Sequence, residues 1–197
     1  MTRSNLNAEY WDKRYQNNET TWDLSEVSPP IKDYIDTISN KNMKILIPGC
    51  GNAYEAEYLL NKGFTNVTLI DISEILVNKL QKKFTEKPIR VLLNNFFDHV
   101  DKYDIIIEQT FFCAIHPSLR KQYSEKCFSL LNQNGKVAGL LFNTTFENDE
   151  PPFGGTKEEY KKLFEPLFTL KQFETCKNSI QPRAGRELFI ELERKNL

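Results

Sequence analysis

The stretch Ile45–Ser73, ILIPGCGNAYEAEYLLNKGFTNVTLIDIS, decides the fold. It places Gly49 and Gly51 directly after one short apolar run and Asp71 at the end of a second. MKILIP (43–48) reads as a buried strand, and NAYEAEYLLNKG (52–63) as a helix with Ala56, Leu59 and Leu60 on its inner face. Asn52 is the expected N-cap of that helix and Gly63 its expected stop. NVTLID (66–71) is the next strand. SEILVNKLQKKF (73–84) is the next helix, opened by Ser73, with Leu76, Leu80 and Phe84 four residues apart on one side.

The alternation continues outward from this unit. IRVLLN and YDIIIEQ read as strands, PSLRKQYSEKCFSLL as a helix and GKVAGLLF as a strand. Uninterrupted apolar runs such as DIIIE suit strands covered on both faces, so the fold class is α/β: a mostly parallel sheet with helices on both sides. The ending differs. TKEEYKKLFEPL is helical in pattern, whereas FTLKQFETC and ELFIELERK alternate apolar and polar residues and predict an antiparallel hairpin across the polar loop KNSIQPRAGR. One domain over residues 1–197 is expected, with an N-terminal segment, about residues 1–40, packed across it.

Composition narrows the function classes. The 197 residues are 40% hydrophobic and 27% charged, as in ordinary globular proteins. A net charge of -1 argues against a broad nucleic-acid surface, and no apolar run is long enough for a membrane span. No apolar core of a signal peptide opens the chain, so a cytoplasmic address is expected. Cys50, Cys113, Cys127 and Cys176 are widely spaced and the only histidines are His99 and His116, so neither a metal site nor a disulfide framework is expected.

In an open α/β sheet, ligands bind beyond the carboxyl ends of the strands, with the first strand–helix turn a usual place. Gly49 and Gly51 let the backbone approach a ligand there, and the following helix N-terminus attracts a carboxylate or phosphate. Asp71, at a strand end, can accept hydrogen bonds from both hydroxyls of a ribose. A dinucleotide fingerprint needs a third glycine where this chain has Tyr54. S-adenosylmethionine has no phosphate, can lay its methionyl carboxylate in the same turn, and suits a sheet that ends antiparallel. It is the expected cofactor.

The segments LIPGCGNAYEAEYLLNKGF, LIDIS, NNFF and YDIIIEQTFFCAIHPSLR, with YWDKRYQNNETTWD upstream and PPFGGTKEEY and PRAGRE downstream, resemble the thiopurine S-methyltransferase family, a class I S-adenosylmethionine-dependent methyltransferase family. The resemblance covers nearly the whole chain and leans toward the plant halide/thiol methyltransferase (harmless-to-ozone-layer) branch. It implies a Rossmann-like, seven-stranded sheet in the order 3-2-1-4-5-7-6 with the last strand antiparallel. It also implies that Trp11, Tyr15 and Trp22 close over the cofactor, that Gly49 meets its methionyl part and that Asp71 holds its ribose. Asn95 and Gln109 match an adenine-facing acid and a residue at the end of the fourth strand, and Cys50, Gly51, Ile72, Ser73 and Phe96 complete the implied cofactor set.

Other readings of these residues stay open. Trp11 and Trp22 also fit plain core, Asn95 a loop cap, and Glu108 either a supporting carboxylate or an electrostatic partner of the cofactor. Phe111, Phe112 and Phe153 are the expected acceptor wall, with no histidine base among them, and Arg183 and Arg186 would meet an anionic acceptor or simply sit in a solvated loop. Glu150-Pro151-Pro152-Phe153 stands where the plant branch tends to have Gly-Pro-Pro-Tyr, which removes a tyrosine hydroxyl and counts against halide or bisulfide as the physiological acceptor. The expected function is methyl transfer to a small soft nucleophile, a thiol, thiopurine-like or halide acceptor, by a monomer without nucleic-acid or membrane partners. A methyltransferase of another small nucleophile and a nucleotide-responsive binding protein are the alternatives.

Overall fold

The computed structural model describes residues 6–197. Residues 1–5 of the expected N-terminal segment lie outside that range. Seven strands, β1 (Ile45–Pro48), β2 (Val67–Asp71), β3 (Ile89–Leu93), β4 (Tyr103–Gln109), β5 (Leu131–Phe142), β6 (Phe168–Thr175) and β7 (Glu187–Arg194), form one sheet in the order β3-β2-β1-β4-β5-β7-β6. The pairs β3–β2, β2–β1, β1–β4 and β4–β5 are parallel, and β7 runs antiparallel to both β5 and β6. The helices are α1 (Ala8–Gln16), α2 (Pro29–Thr37), α3 (Tyr54–Asn61), α4 (Glu74–Lys83), α5 (Arg120–Leu130) and α6 (Lys157–Phe164).

Every residue of β1 and β2 is buried, because each strand is covered on both faces. Side-chain alternation then splits the core in two. Ile45, Ile47, Val67, Leu69 and Ile105 face one cluster with Ile31 and Ile35 of α2, Leu59 of α3 and Leu80 of α4. Leu46, Ile70, Ile106, Val137 and Leu141 face the other, with Tyr123 and Cys127 of α5 and Tyr160 and Phe164 of α6. β6 is half-covered as its sequence predicts, burying Phe168 and Phe173, but its alternation is broken by a register shift between Leu170 and Gln172.

Local chemistry sets the helix ends, and one expectation fails here. Ser73 caps α4 through its side chain, which accepts from the N–H of Leu76, and Thr156 and Glu159 form a reciprocal capping box on α6. Asn52 does not cap α3. Ala53 takes that place at φ 60 without a side-chain bond, while Asn52 donates to Asp23 and accepts from Lys79 at 2.8 Å. The turn after β1 takes positive φ at Gly49, Gly51 and Ala53, and the side chain of Asn52, between the last two, meets Asp23 of the N-terminal segment in place of the first helical N–H groups.

Candidate functional site

The turn after β1 is drawn toward β2 by the Gly49 N–H, which donates to the Ile70 carbonyl at 2.8 Å. Gly49 has φ +55, and a β-carbon there would stand 2.9 Å from Cγ of Phe111, so no larger residue fits between turn and ring. Phe111 is held in turn from behind. Glu108, at the end of β4 and wholly buried, accepts from the N–H groups of Phe111 (2.8 Å) and Phe112 (2.9 Å) through one oxygen and from the Tyr123 hydroxyl (2.6 Å) through the other. Burial pushes its carboxyl up to about 7 against those three bonds. Glu108 therefore shapes the loop after β4 and is not on the cavity wall.

A cavity of about 770 Å³ opens at the carboxyl ends of the central strands. Its wall brings together Trp11, Tyr15, Trp22, Gly49, Asp71, Ile72, Asn95, Phe96, Phe111, Arg183 and Arg186 from the sequence-derived set. Cys50, Gly51, Ser73, Gln109, Phe112 and Phe153 are not on it. Ser73 is occupied as the α4 cap, and Gln109 accepts from the Ser28 hydroxyl at 3.1 Å. Of the three phenylalanines expected on the acceptor wall, only Phe111 reaches it. Phe112 is 1% exposed and packs on Tyr123, Tyr160 and Phe164 in the second core, because the chain has left β4 and turns at Thr110, where φ is positive, so that the two rings diverge. The wall does carry a histidine, His116, which the sequence reading left out of the pocket.

Asp71 is 9% exposed, and burial pushes its carboxyl up to about 6, opposed by the N–H groups of Ser73, Gly51 and Ile72. It is the one carboxylate on the wall among the described residues, and three arginines share that wall with it.

The N-terminal segment forms the outer wall. Trp22 meets Trp11 and Tyr15 edge-on, with ring centroids 5.6 and 6.0 Å apart. Burial pushes the Tyr15 hydroxyl well above its usual range, so it stays protonated. Hydrogen bonds anchor the segment at several points. The Ser73 hydroxyl (2.6 Å) and the Ile75 N–H (3.2 Å) donate to Asp12, and the Tyr54 hydroxyl donates to Asp23 at 3.2 Å. Arg14 donates to Tyr10 at 2.7 Å and to Glu150 at 3.2 Å, while Arg183 donates to the Trp22 carbonyl at 3.0 Å and pairs with Glu187 at 3.5 Å. Tyr54, which stands where a dinucleotide fold has glycine, thus tethers the outer wall.

This donor set fits a nucleoside cofactor bearing a cation: a strand-end carboxylate for ribose hydroxyls, and aromatic faces for a sulfonium. The volume is within the roughly 300–1,000 Å³ usual for small-molecule sites. Among the described residues no cluster of His, Cys, Asp and Glu is placed to hold a metal, and no helix is long and apolar enough to cross a membrane.

Comparison with known proteins agrees. The family model for thiopurine S-methyltransferase matches residues 6–194. A probable thiol methyltransferase 2 of Arabidopsis thaliana is 30% identical over 184 residues, covering 90% of this chain and 81% of that protein. A thiopurine S-methyltransferase of Bos taurus is 26% identical over 186 residues, covering 81% and 76%. In fold, the chain resembles a Burkholderia thailandensis 1,6-didemethyltoxoflavin-N1-methyltransferase with bound 1,6-didemethyltoxoflavin and S-adenosylhomocysteine, with TM-score 0.78 and 16% identity over 96% of this chain and 87% of that one. From the strand-end aspartate to the glycine turn and the full-length match, the chain belongs to the thiopurine S-methyltransferase family of S-adenosylmethionine-dependent methyltransferases.

Proposed function

We propose that the protein transfers a methyl group to a small soft nucleophile that arrives ionised, a thiol, a thiopurine-like compound or a halide, acting as a monomer in the cytoplasm. The observation that carries this is the composition of the cavity wall: Arg14, Arg183 and Arg186, one carboxylate at the cofactor end, and apolar groups over most of the rest. Such a wall favours an anion, although Glu150 and Glu187 pair with two of its arginines, and among the described residues Asp71 is the one carboxylate on it. Four buried, free cysteines suit a reducing compartment.

When bound, S-adenosylmethionine supplies an electrophilic methyl group whose displacement needs no proton on the leaving sulfur. Asp71 would accept from the ribose hydroxyls, Asn95 would face the base, and Trp11, Tyr15 and Trp22 would cover the sulfonium and exclude water. What remains for the chain is orientation. Alignment of two reactants is worth effective molarities of about 10⁵ M or more, and a thiolate needs no further activation.

The test is label transfer from S-adenosylmethionine to a panel of thiols, thiopurines, thiocyanate and halides, followed by pH–rate profiles with thiols of graded acidity. The midpoint is expected to move with the thiol, and one fixed midpoint across the series would instead reveal an enzyme base. Transfer only to oxygen or nitrogen acceptors would shift the acceptor class, and binding without any transfer would leave a binding protein.

A further inference from the structure

The half of the cavity beyond β4, β5 and β7 is largely apolar, and most of its polar side chains are already engaged by neighbouring groups. Arg183 serves Glu187 and the Trp22 carbonyl, and Arg14 serves Tyr10 and Glu150. The Cys113 thiol donates to the Thr110 carbonyl at 3.2 Å, and the Thr110 hydroxyl to the Gln109 carbonyl at 2.7 Å. Arg186 is exposed and lies over the Phe146 ring, 5.2 Å from its centroid, where it supplies charge with little direction.

His116 is different. It lines the cavity and caps the short 3₁₀ turn Pro117–Leu119, with its Nδ1 accepting from the Ser118 N–H at 3.2 Å. The Ser118 hydroxyl lies 2.7 Å from the same nitrogen. A ring whose Nδ1 accepts carries its proton on Nε2 when neutral. The ring plane is fixed as well, edge-on to Phe153 with centroids 5.7 Å apart. The chain's other histidine, His99, is 4% exposed, bonds Tyr103 at 2.8 Å and is absent from the wall.

We infer that His116, through Nε2–H, is the directional donor that seats the lone pair of the methyl acceptor and so selects acceptors able to accept a hydrogen bond there. In this tautomer Nε2 has no lone pair for a proton, so the residue positions the acceptor and does not deprotonate it. The inference rests on the reading of this cavity as a methyl-acceptor site.

The experiment follows the imidazole nitrogens by NMR in the full chain loaded with S-adenosylhomocysteine, with potassium thiocyanate as probe and His116→Gln to assign the signals. The expected result is an Nε2–H signal of His116 that moves as thiocyanate is added. His116→Phe is expected to weaken thiocyanate binding by about tenfold or more, as for loss of a hydrogen bond to a charged group, with S-adenosylhomocysteine affinity unchanged and His116→Gln recovering most of the loss. An Nδ1–H tautomer, a ring indifferent to thiocyanate, or full thiocyanate affinity in His116→Phe would overturn the assignment. If the ring responds but the wild-type protein methylates nothing in the acceptor panel, the donor role stands and the methyl-transfer reading fails.

Discussion

If Asp71 holds the ribose as proposed, it faces two opposing demands, a buried setting and a charged partner for sugar hydroxyls. Burial raises its carboxyl from 3.8 to about 6, so over that interval the native state holds a proton that the unfolded chain has released. Its contribution to stability is therefore fully present below the unfolded value and is lost as pH rises through about 6. Cofactor binding runs the other way, since only the carboxylate accepts from both hydroxyls. Calorimetric affinity for S-adenosylhomocysteine is expected to climb across about pH 6 and to flatten in Asp71→Asn; Asp71→Ala should cost roughly 1.5–3 kcal/mol of binding without unfolding the protein. An unchanged affinity would remove Asp71 from the site. Glu108 has the contrasting fate. Its three buried donors would be orphaned by Glu108→Ala, a loss of roughly 3–5 kcal/mol on chemical denaturation, whereas Glu108→Gln keeps an acceptor for the two N–H groups and should lose far less. The place of Asp71 on the wall was legible in the sequence because it ends the strand beside the glycine turn, where α/β sheets open their ligand sites. His116 was not, because its place on the wall depends on how the chain after β4 folds back.

At the scale of elements, α1 is unusual in burying no residue. Its apolar side, Ala8, Trp11 and Tyr15, lines the cavity; the family resemblance implied that the aromatics cover the cofactor, whereas periodicity could not show how the helix docks. It docks largely through polar contacts, with Asp12 serving the first turn of α4 at the very strand end that holds Asp71. Asp12→Ala should therefore cost only about 1 kcal/mol of stability, as for loss of a helix cap, yet lower cofactor affinity several-fold. Deleting residues 1–24 should leave a folded sheet that binds S-adenosylmethionine poorly. A truncated protein with full affinity and turnover would show that the aromatic wall is packing alone. The same polar anchoring explains the failed cap on α3, since Asn52 and Tyr54 are both turned to Asp23.

For the whole molecule, the parallel pairing and the antiparallel finish were readable because fully covered strands are continuously apolar and half-covered ones alternate, while the strand order came from the family resemblance. Which face each helix takes was not written in any one segment; it follows from the connections that put α2, α3 and α4 on one core and α5 and α6 on the other. The cavity draws on both halves of the chain, so ligand binding should stabilise the fold as a unit. S-adenosylhomocysteine at about 100 times its dissociation constant is expected to add about 2.7 kcal/mol and raise the melting temperature by about 5–10 °C, read by scanning calorimetry. A rise confined to a sub-transition would mean that the site belongs to one part only. The contact of Arg14 and Tyr10 with Glu150 joins the first helix to the loop after β5 beside Pro151 and Pro152, and residues on both sides of it line the cavity. Departure of spent cofactor past this contact would require these groups to part, which would make the contact a timer of turnover as well as a wall. Both partners are partly exposed, 26% for Arg14 and 47% for Glu150, so dissolved salt screens their attraction. An enzyme whose pace is set by release would then run faster in brine than in dilute buffer.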